Sequence, residues 1–131
     1  MNKILIVDDD AIIRTLLVRL LKKIKKDFQI MTAADGCTAL EVLKETSVDL
    51  VLTDYKMPGM DGLETFAEMK KLYPNLPVIM MSGFMGKKLS KAFLHAGGAG
   101  FIQKPFRPGE LNLKVQSVLE EKRETCERSL S

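Results

Sequence analysis

Residues 4–10 read Ile4-Leu5-Ile6-Val7-Asp8-Asp9-Asp10, an apolar run closed by three acids. Four apolar residues in succession show no alternation with polar ones. They therefore describe a strand covered on both faces rather than one half-exposed to water. The acids end it abruptly, and the period then changes. Ile13, Leu16, Leu17, Leu20, Leu21 and Ile24 recur at three- and four-residue steps, the spacing of one helix face. Asp10 stands where an N-cap belongs, and Lys22, Lys23, Lys25 and Lys26 load the far end. Both placements suit the helix dipole.

The same unit recurs along the chain. Phe28–Ala33 reads as a second strand, Asp35-Gly36 as a turn, and Ala39, Leu40 and Leu43 as the apolar face of a second helix. Asp49–Asp54 is a third strand, again closed by an acid. Met57-Pro58-Gly59-Met60-Asp61-Gly62 is a loop by its Pro and Gly content. Leu63, Phe66, Ala67, Met69 and Leu72 predict a third helix that stops before Pro74. Val78–Met81 is a fourth strand, and a fourth helix runs from Lys87 to Ala96, ended by Gly97-Gly98 as a glycine C-terminus should be. Gly100–Gln103 is a fifth strand, and Leu111, Val115, Val118 and Leu119 mark a fifth helix over Pro108–Glu124. Strands that alternate with helices in this way predict an α/β domain: a five-stranded parallel sheet with right-handed crossovers and helices on both faces. The domain is expected over residues 1–124, with a short tail over 125–131.

Composition narrows the function classes. The chain has 131 residues, 46% apolar and 28% charged, the mix and size of one globular domain. No apolar run approaches the roughly 20 residues needed to span a bilayer, and the N-terminal apolar run is too short for a signal-peptide core. Cys37 and Cys126 form no C-x-x-C pair, and His95 is the only histidine, so neither a disulfide framework nor a zinc site is expected. A cytoplasmic protein is the expectation. The Ala96-Gly97-Gly98-Ala99-Gly100 run leaves a helix and enters a strand, the reverse of a phosphate-binding turn. His95 reads as a surface or capping residue, and the eight methionines as core and loop packing.

In an open parallel sheet, functional groups gather at the carboxyl ends of the strands. The first strand is followed by Asp8, Asp9 and Asp10; the third ends at Asp54, the fourth at Ser82, the fifth at Lys104-Pro105, where a cis bond would aim the lysine. The fold is expected to bring these to one edge. Carboxylates held close repel one another unless a cation lies between them. A hard divalent ion such as Mg²⁺, with oxygen ligands, resolves that conflict. A carboxylate can also attack phosphorus to give an aspartyl phosphate, while a cation and an ammonium neutralise the transferring group. The set reads as a phosphoryl acceptor.

These motifs resemble those of response-regulator receiver domains of two-component signalling, over about residues 2–122. The matching pieces are Ile4–Asp10, Asp49–Asp54, Met57–Gly62, Met81-Ser82-Gly83 and Phe101-Ile102-Gln103-Lys104-Pro105-Phe106. The resemblance implies a flavodoxin-like (βα)5 fold with strand order 2-1-3-4-5. It implies that Asp54 takes a phosphoryl group from the phosphohistidine of a sensor histidine kinase or phosphotransfer protein. Mg²⁺ would be bound by Asp9, Asp54 and the backbone carbonyl of Lys56, with Asp8 acting through water. Lys104 would contact the phosphoryl group, Ser82 would be the switch hydroxyl and Phe101 the aromatic switch, altering the surface of the fourth helix, fifth strand and fifth helix. Family members often dock a downstream protein or pair as homodimers through that surface. Such a domain is no enzyme beyond its own phosphorylation and dephosphorylation.

Lys56 and Phe84 come two residues after Asp54 and Ser82, and neither can orient a hydrolytic water, so a phosphorylated state that is not especially short-lived is expected. An aspartate-nucleophile phosphohydrolase is the rival chemistry, but it usually carries a second acid where this chain has Lys56. The other rival is the front part of a longer DNA-binding regulator. With no helix-turn-helix pattern in the chain, a stand-alone regulator with a protein target, no direct nucleic-acid contact and no membrane contact is expected. The net charge of +3 is unevenly placed: residues 69–109 hold seven bases and no acids. Lys87, Lys88 and Lys91 lie in that stretch and are the expected docking face for an acidic protein surface.

Overall fold

A computed structural model describes residues 2–57, 59–83 and 86–130, with side chains described as far as Glu121. Strands and helices alternate through the chain: β1 (Lys3–Val7), α1 (Ala11–Ile24), β2 (Gln29–Ala33), α2 (Gly36–Glu45), β3 (Leu50–Asp54), α3 (Gly62–Leu72), β4 (Val78–Ser82), α4 (Lys87–His95), β5 (Gly100–Gln103) and α5 (Pro108–Leu130). The strands form one sheet in the order β2-β1-β3-β4-β5, and the registered pairs are all parallel. The expected α/β class and strand order are both present.

The apolar runs divide between two cores because neighbouring strand residues face opposite ways. Leu5, Val7, Val51, Val78 and Met80 point to one side, where Ala39, Leu43, Phe66, Met69 and Phe93 from α2, α3 and α4 meet them. Ile4, Ile6, Leu50, Leu52, Ile79 and Met81 point to the other, against Leu17 and Leu21 of α1 and Leu111, Val115 and Val118 of α5. Ile4 through Val7 are fully buried, and each such side chain contributes about 1.5–3 kcal/mol. Met57, Met69, Met80 and Met81 lie inside, as packing residues should.

Local signals set the helix ends. The Asp10 carboxylate accepts from the Ile12 amide and caps α1. At the end of α4, the Gly97 amide donates to the Leu94 carbonyl and the Gly98 amide to the Phe93 carbonyl. Gly97 takes φ +102°, so this is a Schellman stop that needs a glycine. Phe93 lies against Gly98 and stacks edge-on to Phe66 with ring centroids 4.6 Å apart. The Lys104-Pro105 peptide is cis.

Two elements differ from the sequence reading. Asp35-Gly36 is more than a turn: the Asp35 carboxylate accepts from the Thr38 amide and starts α2, a bond that holds its carboxyl below the usual range. The fifth helix continues past Glu124 to Leu130. Glu, Lys and Arg at 120–124 are good helix formers, so nothing local stops it there.

Gly62 bears most directly on the carboxyl end of β3. It opens α3 beneath that strand end, and a Cβ there would run into the Asp54 carbonyl and lie 2.8 Å from the Tyr55 Cα. Backbone cannot swing away as a side chain can. Gly62→Ala should therefore lower stability by about 1–3 kcal/mol, the usual cost of overpacking. Urea unfolding measures it, and an unchanged midpoint would show that α3 shifts freely.

Candidate functional site

Strand register builds the site. Val7 pairs with Thr53, so the residues one step on, Asp8 and Asp54, leave the sheet side by side. Asp54 pairs with Met81, and Ser82 with Gln103, which puts Ser82 and then Lys104 on the same edge. This edge includes the point between β1 and β3 where the strand order reverses and crossovers diverge to opposite faces, leaving a crevice.

Lys104 spans that crevice. Its Nζ donates to Asp8 Oδ2 at 3.1 Å and to Asp54 Oδ1 at 3.2 Å. Asp8 is 1% exposed and Asp54 9%, whereas Asp9 is open to solvent. Among the described residues, Asp8, Asp9 and Asp54 form a group whose carboxylate oxygens, one from each, all lie within 4.8 Å of one another. This set can hold a metal ion, and all-oxygen ligands of that charge suit Mg²⁺. Beside it lies an open depression of about 440 Å³ lined by Asp9, Tyr55, Lys56, Met57 and Asp61.

Electrostatics separates the partners. Burial pushes the Asp54 carboxyl above its ordinary range; the Lys104 ammonium opposes this, and the nearby Asp8 charge adds to it. Burial also works against the Lys104 ammonium, yet Asp54 and Asp8 together outweigh it and raise its pKa. The asymmetry is one of numbers: the ammonium faces two carboxylates, while Asp54 faces one ammonium and one like charge.

The other expected residues are spread around this edge and beyond it. Ser82 is buried at the end of β4, and its carbonyl accepts from the Lys104 amide at 2.8 Å, which fixes the start of the lysine turn. Lys56 is exposed on the rim. Phe101 on β5 is half-buried against the α2–α4 core rather than beside the carboxylates. Lys87, Lys88 and Lys91 are exposed on α4, and His95 is exposed in its last turn. Phe84 lies outside the described residues, as does the side chain of Cys126, while Cys37 is exposed. Sequence reading misses Arg14, whose Nη1 donates to the Asp8 carbonyl at 2.7 Å. It misses Gly62 as well, since close approach of backbone leaves no periodic trace.

Comparison with known proteins points the same way. Residues 4–116 match the family described as response regulator receiver domain. The chain is 34% identical over 119 residues to the cyclic di-GMP phosphodiesterase response regulator RpfG of Xanthomonas campestris, covering 89% of this chain and 32% of that protein. It is 37% identical to the sporulation initiation phosphotransferase F of Bacillus subtilis, covering 90% of this chain and 94% of that one. A response regulator receiver domain protein from Clostridium thermocellum superposes with a TM-score of 0.88 at 26% identity, over 95% of this chain and 99% of the other. The chain thus spans about a third of RpfG, and nearly all of the sporulation protein. Among the described residues, no helix is long and apolar enough to cross a membrane.

The raised Asp54 pKa means that the folded protein holds this charge at a cost. The cost is absent below the ordinary value of 3.8, grows as pH rises from there to the higher folded value, and is complete above that value. In metal-free buffer Asp54→Asn should therefore unfold at higher urea than the wild type near neutrality, with the gap closing in acid. A variant less stable than the wild type at neutral pH would contradict this.

Proposed function

The chain belongs to the response regulator receiver domain family, and from that premise we propose that Asp54 is its phosphoacceptor. An Asp54 carboxylate oxygen attacks the phosphorus of a phosphohistidine presented by a histidine kinase or phosphotransfer protein. The P–N bond breaks, its electrons pass to the imidazole ring, and Asp54 becomes an acyl phosphate. Lys104 already holds Asp54 at 3.2 Å, so its ammonium turns to the new phosphoryl oxygens without crossing the site. Asp8, Asp9, Asp54 and the Lys56 carbonyl would hold Mg²⁺, which supplies charge neutralisation to the phosphoryl oxygens when bound. The observation that carries this reading is the single ammonium shared by two buried carboxylates at the sheet's carboxyl edge.

Phosphorylation adds about two negative charges at Asp54. Ser82 moves its hydroxyl toward them, and Phe101 turns into the space released, altering the surface of α4, β5 and α5. Support comes from the half-buried state of Phe101, which lies beside an open cavity of about 490 Å³ with Gln103, Leu113 and Lys114 on its walls. The phosphodonor approaches over the depression lined by Asp9, Tyr55 and Lys56. An acidic protein target docks on Lys87, Lys88 and Lys91 of α4. Reversing those three charges should depress the pathway's response while Asp54 labelling continues, and an undiminished response would argue against the docking face.

The stand-alone form is supported by the near-complete coverage of the sporulation phosphotransferase, and a longer regulator by the 32% coverage of RpfG. The size of the native protein on a blot separates them.

Labelling by radioactive acetyl phosphate in Mg²⁺ tests the acceptor. Asp54→Ala should reduce incorporation to background, and retained labelling sinks the assignment. Lys104→Met should still take label but show a blunted set of amide shift changes with beryllofluoride; a full wild-type response would remove Lys104 from the switch.

A further inference from the structure

Asp8 has four hydrogen-bonding groups, and each is engaged. Its amide donates to the Ala33 carbonyl at 3.1 Å. Its Oδ1 accepts from the Asp10 amide at 2.9 Å, and its Oδ2 from Lys104 Nζ at 3.1 Å. Its carbonyl accepts from Arg14 Nη1 at 2.7 Å. Among these donors, Lys104 alone has a second task. If Asp54 is the phosphoacceptor, the reading on which this inference rests, the shared ammonium is drawn to a third anion just when the site carries most negative charge. What then keeps Asp8 in place is its bond to the Ala33 carbonyl of β2 and the donors on the β1–α1 side.

Arg14 is built for that. Its own amide donates to the Asp10 carbonyl at 3.0 Å, and the Ile12 amide donates to Asp10 Oδ1 at 2.9 Å, so the first turn of α1 is fixed on the loop. From that turn the guanidinium reaches back to the end of β1. It occupies a carbonyl and leaves both Asp8 carboxylate oxygens to their present partners. It also adds a permanent positive charge behind three clustered acids. We infer that Arg14 is a positioning residue for the acidic site: by clamping the Asp8 carbonyl it closes the Asp8–Asp10 loop and keeps the exposed Asp9 carboxylate within reach of Asp8 and Asp54.

The test uses the full chain with Arg14→Met and Arg14→Lys, studied by amide NMR. Two quantities are read. One is hydrogen exchange of the Asp10 amide without metal, which reports whether Asp8 Oδ1 is still in place. The other is the Mg²⁺ dissociation constant from a titration with the metal alone. Loss of an outer partner of a metal ligand costs about tenfold or more in affinity, so Arg14→Met should bind Mg²⁺ about tenfold more weakly and exchange the Asp10 amide faster. Arg14→Lys supplies a charged single donor and should restore most of both. Wild-type exchange and affinity in Arg14→Met overturn the clamp, as do equal losses in both variants that merely track their melting temperatures. If the wild type takes up no Mg²⁺, the phosphoacceptor reading falls and this inference with it; if it does and Arg14→Met matches it, the clamp alone falls.

Discussion

Everything at the working edge of this molecule depends on one ammonium held between two buried carboxylates. Parallel pairing of β1 with β3 forces Asp8 and Asp54 to emerge together, and two like charges in a crevice raise each other's energy. Lys104, delivered 50 residues after Asp54 by the turn beyond β5, is the chain's own answer to that repulsion. The answer is incomplete. Burial, with the Asp8 charge adding to it, keeps the Asp54 pKa raised despite the ammonium, so a further cation at this edge would favour the ionised carboxylate. A site in that condition gains from a cation and from chemistry that gives the ammonium a new partner.

The remainder of the fold keeps this conflict from relaxing. Were β1 and β3 free to slide or splay, the acids would separate and the tension would vanish. Ile4–Val7 and Leu50–Leu52 are buried on both faces of the sheet, and a slip of one residue would turn each of them to the wrong core. Gly62 lets α3 start against the Asp54 carbonyl, while Arg14 and Asp10 tie the loop after β1 to α1. The apolar interior supplies rigidity, and a few short polar contacts aim it.

Much of this is legible in the residues. Short two-sided apolar runs such as Ile4–Val7 suit central strands of a covered sheet, and helical spacing between them points to parallel crossovers. Asp8, Asp9, Asp54, Ser82 and Lys104 are visible because each lies at or just beyond the end of a strand, where an α/β sheet collects its chemistry. Arg14 is hidden for the opposite reason. It sits within a helix, where an arginine is usually a solvated face, and only the bend of the chain at Asp8–Asp10 brings it to a carbonyl. Asp35 looks like part of a turn because Asp-Gly serves turns and helix starts alike, and the difference lies in whether an amide three residues on is free to donate. The end of α5 falls later than its pattern suggests, since its charged residues favour helix without marking where it stops.

The class of fold, the order of its elements and the residue types gathered at the strand ends can all be read along the chain, because hydrophobic period and residue type are local properties. Which carboxylates share an ammonium, and what that costs, emerges only when the chain has packed. Distances of 3.1 and 3.2 Å from one ammonium to two acids, the burial that raises the pKa of Asp54 and the reach of Arg14 to Asp8 all depend on register and packing between segments separated along the chain. Electrostatic energy varies with separation and with exclusion of water, and neither is a property of any residue until the chain has closed around it.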